Sequence, residues 1–195
     1  NELFELITEN NMQDSAYLDA VAEQLDLLSY IDYNQSFIYL NNIDWYGFKH
    51  FKYWRVRETS KAPFHDGKWR FVVWDFDSSP MKPEFDFLQN FIHPEGGGEA
   101  YSAGDPERTV MLRSLLENED FCHLFINRFA DHINTIFSPE RVNGIVKGMY
   151  ERVKPELKEH FQRWGHPAVA HTAEKNWETF AINRPAHMRK QLIDH

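Results

Sequence analysis

The chain has 195 residues, enough for one domain with its own core, and its 42% apolar and 26% charged residues exclude a disordered tail, a collagen-like fibre and a disulfide scaffold. The single cysteine, Cys122, can form neither an internal disulfide nor a cysteine zinc cluster. A net charge of −9 with no basic tract argues against nucleic acid as a partner, and no apolar run approaches the ~18 residues of a membrane span. The sequence opens on Asn1 with no initiator methionine and no signal-like segment, so it is expected to be a piece of a longer protein.

Leu3, Phe4, Leu6 and Ile7 make a helical stripe broken at Asn10-Asn11. Ser15 is placed to cap a second helix carrying Tyr17, Leu18, Val21, Ala22, Leu25 and Leu28. Ser29 with Asp32 resembles a capping box, and Tyr30, Tyr33, Phe37, Ile38 and Leu40 predict a helix ending near Asn41-Asn42. The period then changes. Residues 48–57 and 68–74 alternate as strands joined by a loop over 60–67, with Trp69, Phe71 and Val73 on one face and Arg70, Val72 and Trp74 on the other. Residues 78–108 hold Pro80, Pro83, Pro94, Gly96-Gly97-Gly98, Gly104 and Pro106, and read as one long irregular segment. Everything beyond reads helical. Asp105-Pro106, Ser138-Pro139 and Thr172-Ala173 are predicted helix starts. Residues 119–137 carry Phe121, Leu124, Phe125, Phe129, Ile133 and Ile136 near helical spacing, and a later helix begins near Pro155. Two final helices are expected, one through Trp177, Phe180 and Ile182, and one running from Pro185. The expected fold is α+β, mostly α, a single domain over 1–195 with a small antiparallel β-hairpin inserted between helices.

Two places carry possible chemistry. Asp75-Phe76-Asp77 leaves a strand into an irregular segment, where two carboxylates suit a hard cation such as Mg²⁺; a polar strand end with a capping aspartate is the plainer reading. Asp44 lies in Asn41-Asn42-Ile43-Asp44-Trp45, between a helix and a strand, and taken alone serves equally well as a turn residue. Together they say more. A loop aspartate, a hairpin and a strand ending in Asp-Phe-X is the order of parts in a protein kinase C-terminal lobe, where positioned carboxylates orient a hydroxyl and hold metal-bound phosphates. Glu156 and His160 share a helix face at i and i+4, with a dipole and hydrogen-bonding role as the plainer account. Asn34-Gln35-Ser36 is a glycosylation sequon inside a predicted helix, and no Gly-Lys-Ser/Thr or Gly-x-Ser-x-Gly motif is present. The aromatic residues fall mainly on predicted core faces.

The run Tyr39-Leu40-Asn41-Asn42-Ile43-Asp44-Trp45, then Tyr53-Trp54-Arg55, then Lys68-Trp69-Arg70-Phe71-Val72-Val73-Trp74-Asp75-Phe76-Asp77 resembles the CotH kinases. The resemblance continues through Phe129-Ala130-Asp131-His132, Pro155-Glu156, His160, Arg163-Trp164 and Arg184-Pro185. It implies a protein-kinase-like C-terminal lobe that uses ATP and Mg²⁺ (or Mn²⁺) to phosphorylate Ser or Thr of a protein substrate; separately, the acidic net charge of the chain suits a basic substrate. It also implies a place outside the cytoplasm, in the cell envelope, secreted or on a spore surface. Asp44 would be the catalytic base, Asp75 and Asp77 would hold the metal and nucleotide, and Asn42 would brace the loop. One departure stands out. Where the family carries asparagines four and five residues after the loop aspartate, this chain has Phe48 and Lys49. Lys49 could contact phosphate in place of a metal, or block the metal. The residues therefore leave two readings: an active phosphotransferase, and a catalytically degenerate lobe that binds a protein or glycan partner. Nothing before Asn41 resembles a nucleotide-covering lobe, so that part is expected outside this chain.

Overall fold

The computed structural model describes residues 2–42, 51–77, 79–80, 82–93, 106–165 and 167–195. Helices α1 (Glu2–Thr8), α2 (Ser15–Gln24) and α3 (Leu27–Leu40) precede a two-stranded antiparallel sheet of β1 (Tyr53–Trp54) and β2 (Arg70–Phe71). Helices α4 (Phe87–Ile92), α5 (Pro106–Leu116), α6 (Glu119–Asn134), α7 (Pro139–Val153), α8 (Leu157–Trp164) and α9 (Pro167–Asp194) follow, with a short 3-10 turn, Lys154–Glu156, before α8. The protein is mostly helical with one small sheet, as the periodicity predicts.

Helix α3 is the centre of the core. Tyr30, Ile31, Tyr33, Phe37, Ile38 and Tyr39 are all buried, so apolar side chains point outward on every side of it, as in a helix surrounded by others. Tyr39 stacks on Phe137 with ring centroids 4.1 Å apart and meets Phe180 of α9 edge-on at 6.0 Å. The two buried amides of α3 donate to main chain: Gln35 Nε2 to the Phe125 carbonyl of α6 at 2.8 Å, and Asn34 Nδ2 to the Tyr30 carbonyl at 2.8 Å. Asn34 is thus a buried core residue, which rules out its use as a glycosylation acceptor in this fold. At the start of α6, Asn118 Oδ1 accepts from the amides of Asp120 and Phe121 while its Nδ2 donates to the Met12 carbonyl. One side chain thereby caps a helix and ties it to the α1–α2 connection.

Several predicted boundaries move, each for a local reason. Both early caps lie one or more residues before the predicted serine: Asp14 accepts from the Ala16 amide and Asp26 from the Ser29 amide. The aspartate carboxylate is as good an N-cap as serine, and its negative charge strengthens the bond to the free amides. Ser29 is then free to accept the Phe71 amide with its Oγ at 3.2 Å, and Asp32 pairs with Arg128 of α6. The strands are shorter than expected, with Tyr53 opposite Phe71 and Trp54 opposite Arg70. Trp69 is held on its other side by Gln24 and Asp26 main chain, and beyond Val72 the chain leaves the ladder. Within residues 78–108, expected to be irregular, Asp86 caps the helix α4, whose Phe87, Leu88 and Phe91 are buried. The two expected final helices are one. Thr172 lies inside α9 and Pro185 interrupts no part of it. An internal proline costs a helix ~3 kcal/mol; burial of Phe180, Ala181, Arg184 and Met188 around this turn offsets that.

Candidate functional site

Phe76 fixes the Asp-Phe-Asp segment. Its ring lies 4.5 Å from that of Phe37 on α3, so the middle residue of the triplet is anchored on the core. The residues on either side, Asp75 and Asp77, are both exposed. Neither carboxylate takes part in a hydrogen bond or ion pair among the described residues. Asp75 has φ of 62°, in the left-handed region where a non-glycine residue is strained and aspartate is tolerated better than most.

The end of α3 supplies the bracing. Asn41 terminates the helix in the left-handed conformation, with φ of 50° and ψ of 48°. Asn42, fully buried, donates from Nδ2 to the carbonyl of Asp75 at 2.9 Å. Asn41, also fully buried, donates from Nδ2 to the carbonyl of Lys82 at 3.0 Å. Two adjacent amides therefore grip both ends of residues 75–82. A third clamp comes from α9. Arg184 is fully buried and donates to the carbonyls of Ile38, Tyr39, Pro83 and Phe85 at 2.8 to 2.9 Å. Its positive charge sits at the C-terminal end of α3, where the helix dipole favours it. Burial pulls its pKa down to about 10, which leaves it charged at neutral pH.

Asp44 and Lys49, and with them Phe48, lie outside the described residues, as does the Gly96-Gly97-Gly98 run. Of the residues singled out from sequence, Asn42 and Asp75 are brought into contact, and Asp77 lies two residues on. Glu156 and His160 are both exposed on the surface of the α8 region. Among the described residues, no group of three or more His, Cys, Asp or Glu side chains gathers as a metal site. Two carboxylates nevertheless fit Mg²⁺, which commonly takes one or two carboxylates and completes its shell with water and substrate phosphate. Among the described residues both carboxylates are without a hydrogen-bond or ion-pair partner, and both residues are exposed, so they are open to a cation.

Asn41 and Arg184 did not stand out as functional residues in the sequence. The adjacent asparagines at a helix end were a signal for Asn41. Arg184 had none beyond its Arg-Pro motif, because its partners lie far away in the chain. A cavity of about 540 Å³ lies elsewhere, lined by Leu88, Leu116, Phe125, Ile126 and Leu192 together with Cys122. Burial pushes the pKa of the Cys122 thiol up. No described helix is long and apolar enough to cross a membrane.

The family model for CotH kinase protein matches residues 1–188. The chain therefore belongs to the CotH kinase family. No curated protein and no solved structure matches it.

Proposed function

We propose that this chain is the catalytic lobe of an ATP-dependent protein kinase acting on Ser or Thr of a protein substrate. The observation that carries the reading is the joint made by Asn42 and Asp75. Asn42, two residues before Asp44 in the chain, is bonded to the segment that carries both exposed carboxylates. Phosphoryl transfer asks mainly for charges held in position, and an anchored Phe76 between two free aspartates is a means of doing so.

In this reading Asp75 and Asp77 would hold the Mg²⁺ that accompanies the nucleotide. Bound Mg²⁺·ATP supplies the transferable phosphoryl group and neutralises charge that builds on it. Asp44 orients the acceptor hydroxyl and takes its proton at a carboxylate oxygen as the hydroxyl oxygen becomes the nucleophile. Asn42 acts through Asp75, by holding its main chain. A separate nucleotide-covering lobe, and a place in the cell envelope or on a spore surface, belong to the same proposal and rest on the family.

A second reading has its own observation. Phe48 and Lys49 stand where the family carries asparagines, so the lobe could bind without catalysis. The two are separated by incubating the intact protein with γ-labelled ATP and Mg²⁺ or Mn²⁺. Phosphotransfer predicts a labelled protein product that is lost on Asp44→Ala. A degenerate lobe predicts no label, with or without a metal-dependent thermal shift by ATP. Release of phosphate without protein labelling would point instead to a phosphohydrolase.

A further inference from the structure

Charge is distributed unevenly in this acidic chain. Residues 51–74 hold Lys52, Arg55, Arg57, Lys61, Lys68 and Arg70 but only two of the chain's 30 acidic residues, Glu58 and Asp66. Asp66 is already occupied by Arg70, at 2.7 Å. The other five cations have no carboxylate partner among the described residues. The strand register places Lys52, Trp54 and Val72 on the face turned away from α3, because Phe71 on the opposite face packs on Tyr30 and Tyr33, and the contact with Lys52 brings Trp74 to the same face.

That outer face is also apolar. Trp54 is 41% exposed, Phe64 62%, Val72 37% and Trp74 37%. Lys52 Nζ sits 3.2 Å above the Trp74 ring, and Arg70 lies between Trp54 and Phe64 at 5.8 and 5.1 Å. Cation–π contacts thus pair the charges with the aromatic rings on this face. Large exposed aromatics interleaved with arginine and lysine have the composition of an interface centre, whereas a simple solvated surface would carry charge alone. Trp74 is followed directly in the chain by Asp75.

We propose that this hairpin face is a docking surface for an acidic polypeptide segment, rich in Asp and Glu and carrying an apolar anchor. The excess of cations sets the sign of the partner, and the aromatic surface sets its need for an anchor. Net charge alone pointed to a basic substrate; the local surface beside the candidate site has the opposite preference. Docking here needs no phosphotransfer, so it stands or falls separately from the proposed kinase activity.

The test is direct binding to the intact protein. The probe is a fluorescein-labelled Asp/Glu-rich peptide with one leucine anchor, read by anisotropy. A Lys/Arg-rich peptide of equal length and a single-stranded oligonucleotide serve as comparisons. The acidic peptide is expected to bind and the basic peptide not. Raising salt from about 0.05 to about 0.3 M should weaken binding by roughly tenfold or more. The triple charge reversal Lys52→Glu, Arg55→Glu, Arg57→Glu should weaken it by at least about tenfold, and Trp54→Ala with Phe64→Ala by about fivefold or more. Lys147→Glu, an exposed position on α7, should change nothing. Thermal unfolding and far-UV dichroism show that each variant is folded. Equal or tighter binding of the basic peptide overturns the proposal. So does binding insensitive to the hairpin substitutions, and so does an oligonucleotide that binds as tightly as the peptide.

Discussion

Replacing Arg184 by leucine removes the donor shared by four main-chain carbonyls. Phe85 keeps other donors, since its oxygen also accepts from the Phe87 amide and from Gln191 Nε2, each at 3.2 Å. The carbonyls of Ile38, Tyr39 and Pro83 lose a charge-assisted bond each. Such bonds contribute ~1.5 kcal/mol or more apiece, and relief of guanidinium desolvation returns part of the loss. A net destabilisation of ~3 kcal/mol follows, a large share of the ~5–15 kcal/mol that holds a domain together. For a chain of this size that lowers Tm by roughly 10 °C, measured by far-UV dichroism or as a shift in the urea midpoint. Arg184→Lys keeps the charge and three donors, so it should lose about half as much. A loss below ~1 kcal/mol for Arg184→Leu would refute the idea that this guanidinium clamps the end of α3 to residues 83–85.

Two further outcomes are expected. Asn42→Ala removes the bond to the Asp75 carbonyl and should cost ~1–2 kcal/mol in urea unfolding; any phosphotransfer should fall more steeply than stability, with Asn42→Asp restoring little because a carboxylate cannot donate. His132 gives a pH signature. Burial pushes its imidazole below the ordinary histidine value, with Asp32 opposing part of that shift. The unfolded chain therefore binds more protons than the folded one near the ordinary value, so stability falls as pH drops through that window. Urea midpoints measured between about pH 5 and about pH 7.5 should show this slope, and His132→Gln should flatten it.

Much of the helical framework was readable because it is local. The stripe through Tyr33 and Phe37 depends on residues four apart and the helix start at Ser138-Pro139 on adjacent ones, and both lie where periodicity and capping chemistry put them. The failures were of two kinds. Helix α4 was hidden because Pro80, Pro83 and the glycine run dominate the composition around it, although Asp86 followed by Phe87, Leu88 and Phe91 was a capped apolar turn. The break expected at Pro185 was not made, because burial of Arg184 and Met188 outweighs one missing amide. The candidate site divides the same way. The Asp-Phe-Asp pattern indicated two carboxylates around an apolar residue, and periodicity alone favours opposite faces for Phe76 and its neighbours. The bond from Asn42 to Asp75 and the reach of Arg184 across the chain are tertiary contacts, and no local spacing encodes them.

The central claim is that the segment gripped by Asn41, Asn42 and Arg184 belongs to a phosphoryl-transfer site. The most direct measurement incubates the intact protein with γ-labelled ATP, Mg²⁺ and a candidate protein substrate, beside the Asp44→Ala and Asp75→Ala variants. The account predicts label on Ser or Thr of the substrate, abolished by Asp44→Ala, with Asp75→Ala weakening the dependence on Mg²⁺. No label under any metal, together with no metal-dependent shift of Tm by ATP, would contradict it.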